Sequence, residues 1–98
     1  MSDYLYIRKT LAGIFASDIA LSREAQQGML ERSLVHRERR EAFRDELRKA
    51  VLDETTPWLE LLANENYEVG DAISNEDAKH QILAMLWQKV CPGEPIPN

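Results

Sequence analysis

The chain has 98 residues, 12 Lys and Arg against 17 Asp and Glu, a formal net charge of −5 and one cysteine. That length holds one small domain and leaves no room for a separate cofactor-binding half, while 44% apolar and 30% charged residues suit a folded rather than a disordered chain. The negative total argues against general nucleic-acid binding, whose affinity rests on neutralising phosphates.

Apolar residues recur at helical spacing almost throughout. Leu5, Ile7, Leu11, Ile14 and Phe15 predict one helix over Tyr4–Ala16 with a single buried face. Asp3 precedes this apolar stretch and the basic residues follow it, the reverse of a secretory signal. Ser17 and Asp18 break the pattern. Ser22 is a good N-cap, with Glu24 in the first turn that follows.

The stretch from Ser22 to Leu52 carries Ala25, Met29, Leu30 and Leu34, pauses over 36–41, and resumes at Phe43, Leu47, Ala50 and Val51. Neither Gly nor Pro interrupts residues 29–56, so one long helix and two helices bent near His36 both fit the pattern. A compact domain favours two, with tertiary contacts making the break.

Thr56 as N-cap and Pro57 at the first helical position predict a short helix over Pro57–Ala63, with Trp58, Leu61 and Leu62 facing inward. Asn64 to Asp71 is polar and turn-rich, and Gly70 is a candidate for positive φ. Ser74 and Asp77 form a variant capping box, and Ile73 with Ala78 a small hydrophobic staple. Ala78, Ile82, Leu83, Leu86 and Val90 mark the core face of the last helix, which Pro92-Gly93 ends. Pro92–Asn98 reads as an extended tail. The expectation is an all-α domain over 1–91, a single small bundle of four to five helices, with no internal repeat.

The chemistry-bearing residues form no catalytic constellation. Glu76, Asp77 and His80 approach one another on one helix, but a dinuclear carboxylate site needs a second such set. The other histidine, His36, sits among arginines that repel a metal. Acids at a helix start are already explained by its dipole. Cys91 lies eleven residues after His80, three helical turns away, too far for a nucleophile–base pair; it cannot form an intramolecular disulfide and reads as a small buried hydrophobe. Ser17, Ser22, Ser33 and Ser74 occupy no nucleophile elbow, and the scattered glycines make no phosphate loop. No apolar run approaches the roughly 20 residues that span a bilayer. The expectation is a cytoplasmic protein that is not an enzyme and holds no metal or cofactor.

Charge distribution is more telling than its total. Residues 1–52 carry ten basic and eight acidic side chains (+2), and residues 53–98 carry two and nine (−7). Arg37, Arg39, Arg40, Arg44 and Arg48 are interleaved with Glu31, Glu38, Glu41, Asp45 and Glu46, at spacings that permit pairs such as Arg37–Glu41 and Glu41–Arg44. Residues 53–77, in contrast, hold eight acids and neither Lys nor Arg. Such a field accelerates association with a basic partner. Interspersed Trp58 and Tyr67 are either core residues or binding anchors. Acids bearing an aromatic suit the blocking of a nuclease's positive active site, carboxylates standing where phosphates would.

The order Tyr4-Leu5-Tyr6-Ile7-Arg8, Leu11-Ala12-Gly13-Ile14-Phe15, Trp58-Leu59, Tyr67-Glu68-Val69-Gly70-Asp71 and Ser74-Asn75-Glu76-Asp77-Ala78 leading to Leu86-Trp87 resembles the small immunity proteins of bacterial contact-dependent growth inhibition. The resemblance implies a non-enzymatic toxin inhibitor acting by protein–protein interaction with one cognate toxin domain, often a nuclease. It transfers no catalytic residue. The charge pattern nominates Asp53, Glu54, Glu60, Glu65, Tyr67, Glu68 and Asp71 as the partner-binding residues, with no direct nucleic-acid or membrane contact. Two other readings fit the sequence: a nucleic-acid-linked regulator or antitoxin using Arg37–Arg48, and a helical scaffold that dimerises through Ala25–Leu34.

Overall fold

In a computed structural model, which describes residues 4–16 and 21–96, the chain is all-α. Helix α1 (Leu5–Thr10) runs without a break into a π-helical turn (Leu11–Phe15), followed by α2 (Arg23–Ser33), α3 (Arg37–Leu52), α4 (Trp58–Leu62) and α5 (Asn75–Val90). There is no strand among the described residues, only an isolated antiparallel bridge between Ala63 and Glu68. The radius of gyration is 12.6 Å, matching the ~12.6 Å of a folded globule of this length. Ser17, Asp18, Pro97 and Asn98, and with them the expected break at Ser17 and Asp18 and the end of the tail, lie outside the described residues.

One hydrophobic cluster holds the helices together. Ile7, Leu11, Ile14 and Phe15 enter it from the N-terminal helix, Leu30 and Leu34 from α2 and its end, and Phe43, Leu47, Ala50 and Val51 from α3. Trp58, Leu61 and Leu62 of α4 meet the buried face of α5, which Trp87 extends. Leu5, expected to face inward, is exposed. Because Leu30 and Leu34 are buried in the chain's own core, the Ala25–Leu34 stripe is not a free apolar face.

The long middle segment is two helices. Ser22 caps α2 as expected, its Oγ accepting from Ala25 N–H at 3.1 Å. At the other end the Ser33 hydroxyl donates to Leu30 O (2.7 Å), and Leu34 and Val35 N–H turn to the carbonyls of Glu31 and Arg32. These i→i−3 bonds tighten the last turn. His36 is extended (φ −75°, ψ 119°) and α3 starts beyond it. The break lets Leu30 and Phe43 reach the same core.

Several local expectations are corrected. Thr56 does not cap α4: its buried hydroxyl donates back to Ala50 O at 2.6 Å, with Asp53 O at 3.0 Å. Pro57 therefore precedes α4, which spans Trp58–Leu62. The cap comes from α5 instead. Asn75 Oδ1 accepts from Leu59 N–H (2.8 Å), while its Nδ2 donates to Thr56 O (2.8 Å). Ser74 Oγ does accept from Asp77 N–H (3.1 Å), but Asp77 Oδ2 accepts from Ile73 N–H (3.0 Å), one residue before the usual reciprocal bond. Ile73 is 95% exposed and Ala78 fully buried, so no staple forms. Positive φ belongs to Gly93 (77°), in the turn after α5, and not to Gly70.

The start of α1 has an analogous trans cap. Tyr4 is left-handed (φ 62°) and its side chain caps nothing. Glu46 of α3 supplies the acceptors, for Tyr6 N–H at 3.2 Å and Ile7 N–H at 2.7 Å. Burial pushes the Glu46 carboxyl above its ordinary pKa, outweighing the backbone N–H bonds that pull it down.

Candidate functional site

Three of the nominated acids meet in one place. Glu60, Glu65 and Asp71 line an open groove of about 690 Å³ along α4 and the loop after it, with Asn64, Asn66 and exposed Leu59 beside them; its lining holds no basic residue.

The groove's outer wall is a pinned loop. Asn64 Oδ1 accepts from the N–H groups of Asn66 (2.9 Å) and Tyr67 (3.2 Å), and its Nδ2 donates to Glu60 O (2.8 Å). Asn64 N–H donates to Tyr67 O and Val69 N–H to Leu62 O, both at 2.9 Å. Asn can make all these bonds because its short amide offers donor and acceptor at once. Gln81 of α5 holds the far end, donating to Asp71 O at 2.8 Å. The carboxylates of Glu65 and Asp71 thus project from backbone held on both sides.

The other nominated residues occupy different settings. Asp53 and Glu54 are exposed in the turn after α3. Asp53 Oδ1 accepts from Thr55 N–H (2.9 Å) and its hydroxyl (2.7 Å). These bonds hold its carboxyl below the usual pKa. Glu68 is exposed at the Ala63 bridge and does not line the groove. Tyr67 is half-buried and packs against the core, its hydroxyl donating to Leu61 O at 2.6 Å. It positions the loop, and burial raises its pKa. Trp58 is buried at 3% exposure and is a core residue, not a contact.

Sequence reasoning missed the cation next to this site. Arg8 of α1 makes a two-pronged pair with Glu60, Nη1–Oε1 at 2.9 Å and Nη2–Oε2 at 2.6 Å. The bond to Glu60 raises the Arg8 pKa further. Nothing in the spacing of residues 52 positions apart announces that contact. Leu59 and Ile73, both exposed, were also passed over; Leu59 lies at the groove, and Ile73 follows its lining residue Ala72.

The chain matches no known family model, no curated protein and no solved structure. No group of three or more His, Cys, Asp or Glu among the described residues is arranged to hold a metal ion. No helix among them is long and apolar enough to cross a membrane.

The basic helix is differently engaged. Arg37 Nε pairs with Glu41 at 3.1 Å, as expected. Arg44 does not pair with Glu41: it turns to Glu94 (3.8 Å), which Arg48 also contacts. Glu94 is further held by Trp87 Nε1, which donates to its carbonyl at 2.7 Å.

Proposed function

We propose that the chain is a non-enzymatic immunity protein that binds a cognate, basic toxin domain and neutralises it through the acidic groove. What supports this reading is the exposure of Glu65 and Asp71, which belong to no ion pair among the described residues, on one open surface whose lining holds no basic residue. Exposed apolar side chains at Leu59 and Ile73 add contact area of the kind found at the centre of protein interfaces. A nuclease site is built to attract phosphates, and fixed carboxylates satisfy the same cations without offering a scissile bond. Attraction of this kind acts mainly on the association rate and weakens as salt screens the encounter. In this reading the protein works in the cytoplasm, where an incoming toxin domain would act.

The test is charge reversal at three exposed acids. A Glu65→Lys, Glu68→Lys, Asp71→Lys variant is co-expressed with the product of the reading frame immediately upstream of its own gene, which this reading predicts to be a basic toxin domain. Protection should fall, and association measured by stopped flow should slow and lose most of its salt dependence. Full protection with unchanged kinetics refutes this surface. Of the arginines in the polyanion-binding alternative, Arg37, Arg44 and Arg48 are engaged by Glu41 and Glu94, whereas Arg39 and Arg40 belong to no ion pair among the described residues. Filter binding to RNA and DNA across a salt series tests it directly: tight binding with a steep salt slope would revive it.

A further inference from the structure

A second concavity, of opposite charge character, lies between α1 and α3 and shares no lining residue with the acidic groove. It encloses about 320 Å³, within the size range of small-ligand sites. Its accessible apolar surface comes from exposed Leu5 and half-buried Tyr6, with the buried Phe43 and Ile14 also in the lining. Tyr6 stacks on Phe43 with ring centroids 5.9 Å apart, 21° from parallel, which stiffens one wall. Ile14 is carried by the π-helical turn, a backbone variant that recurs at functional sites.

Lys9 and Arg39 contribute from the two helices, and neither belongs to an ion pair among the described residues. Thr10 lines the same space, and its hydroxyl has no hydrogen-bond partner among the described residues. No Asp or Glu is part of the lining. Two cations and an unpaired hydroxyl beside an aromatic and aliphatic wall form the complement of an amphipathic anion.

We infer that this cavity binds a small monocarboxylate with an aromatic or branched aliphatic body. The body packs against Leu5 and Tyr6, and the carboxylate takes charge-assisted bonds from Lys9 and Arg39 and one from the Thr10 hydroxyl.

Benzoate is the probe and benzamide its uncharged control, both titrated into the full-length protein and followed by amide NMR. Benzoate should shift the signals of Tyr6, Thr10, Ile14 and Arg39 saturably, with a dissociation constant of about millimolar order, as expected of so small a ligand. Benzamide should bind at least ~10-fold more weakly, because the charge-assisted bonds are lost. A Lys9→Ala, Arg39→Ala variant alters two side chains outside the core, so its unchanged thermal unfolding serves as the folding control; benzoate should lose at least ~10-fold there too. Thr10→Val should weaken benzoate less than the double variant. Absence of saturation, equal binding of benzamide, or undiminished binding to the folded double variant would each overturn the assignment.

Discussion

Replacing Glu46 by Ala removes the acceptor for two backbone N–H groups at the start of α1 and leaves no side chain to substitute, since Tyr4 caps nothing. A hydrogen bond to a charged group contributes about 1.5–3 kcal/mol. The Ile7 bond at 2.7 Å is short and the Tyr6 bond at 3.2 Å long; because burial disfavours the ionised carboxyl, the loss comes mainly from leaving two N–H groups without this acceptor. The expected net loss is about 2 kcal/mol, or roughly 8–16 °C in Tm for a domain of this size. Glu46→Gln keeps an amide oxygen for Ile7 N–H and should cost about 1 kcal/mol or less. The pH dependence separates the two variants further. Burial raises the folded-state pKa of Glu46 above its unfolded value. Its ionisation-linked contribution is therefore fully present below the unfolded pKa and is lost as pH rises through the raised folded value. Gln does not ionise, so the Tm of Glu46→Gln relative to the parent should rise as pH climbs above the ordinary carboxyl range of about 4. Thermal unfolding followed by circular dichroism at several pH values measures all of this. A Gln variant as damaged as the Ala variant at neutral pH, or a Tm difference that moves the other way with pH, refutes the reasoning.

Asn75→Ala breaks both halves of the link between Thr56 O and Leu59 N–H, so it should cost about 1–2 kcal/mol by chemical denaturation. Asn75→Asp retains an acceptor but sets a carboxylate oxygen against the Thr56 carbonyl, and should not rescue. Cys91 is fully buried and burial pushes its thiol pKa up, despite the opposing pull of Arg48 and Arg44. A thiol reagent at neutral pH should therefore label the native protein far more slowly than the unfolded chain. Glu94→Ala, which frees Arg44 and Arg48 from the tail, should speed that labelling several-fold, and an unchanged rate would show that the Glu94 side chain does not hold the segment over Cys91.

The helical architecture was legible because it follows from local spacing. Apolar positions at three- and four-residue steps located every long helix, and Ser22 and Ser74 announced their helix starts correctly because a hydroxyl three residues before a free N–H is a purely local device. The errors share one physical origin. Thr56 has the chemistry of an N-cap, but burial turned its hydroxyl toward Ala50 O, and Asn75 arrived from another helix to fill the vacancy. Glu46 does the same for α1. Contacts between residues 16 or 39 positions apart leave no trace in spacing. Ile73 fails as a staple because the chain before α5 is held outward, Ile73 N–H bonded to Asp77 and Asp71 O to Gln81. The pinned loop at 64–72 was recognisable as polar and turn-forming; that its acids would line one groove with Glu60 was not, since it depends on how α4 packs on α5.

The same long-range contacts redistribute the charge asymmetry. Four of the five ion pairs among the described residues join 1–52 to 53–98: Arg8–Glu60, Arg44–Glu94, Arg48–Glu94 and Lys89–Glu31. Of the acids in the second half, Glu60 and Glu94 are thus matched by first-half arginines, and Asp77 accepts bonds at the start of α5. Glu65, Glu68 and Asp71 belong to no ion pair among the described residues and stand exposed on one hydrogen-bonded loop. Exposed pairs contribute little to stability, so the ion pairs here matter less as glue than as a filter. They occupy Glu60 and Glu94 and leave the loop's three acids unpaired, along with Asp53, Glu54 and Glu76 among the described residues. A solvated acidic surface would need no such fixed backbone. A surface that must present carboxylates at set positions to a partner's cations would, because a backbone already held in place loses less freedom on binding.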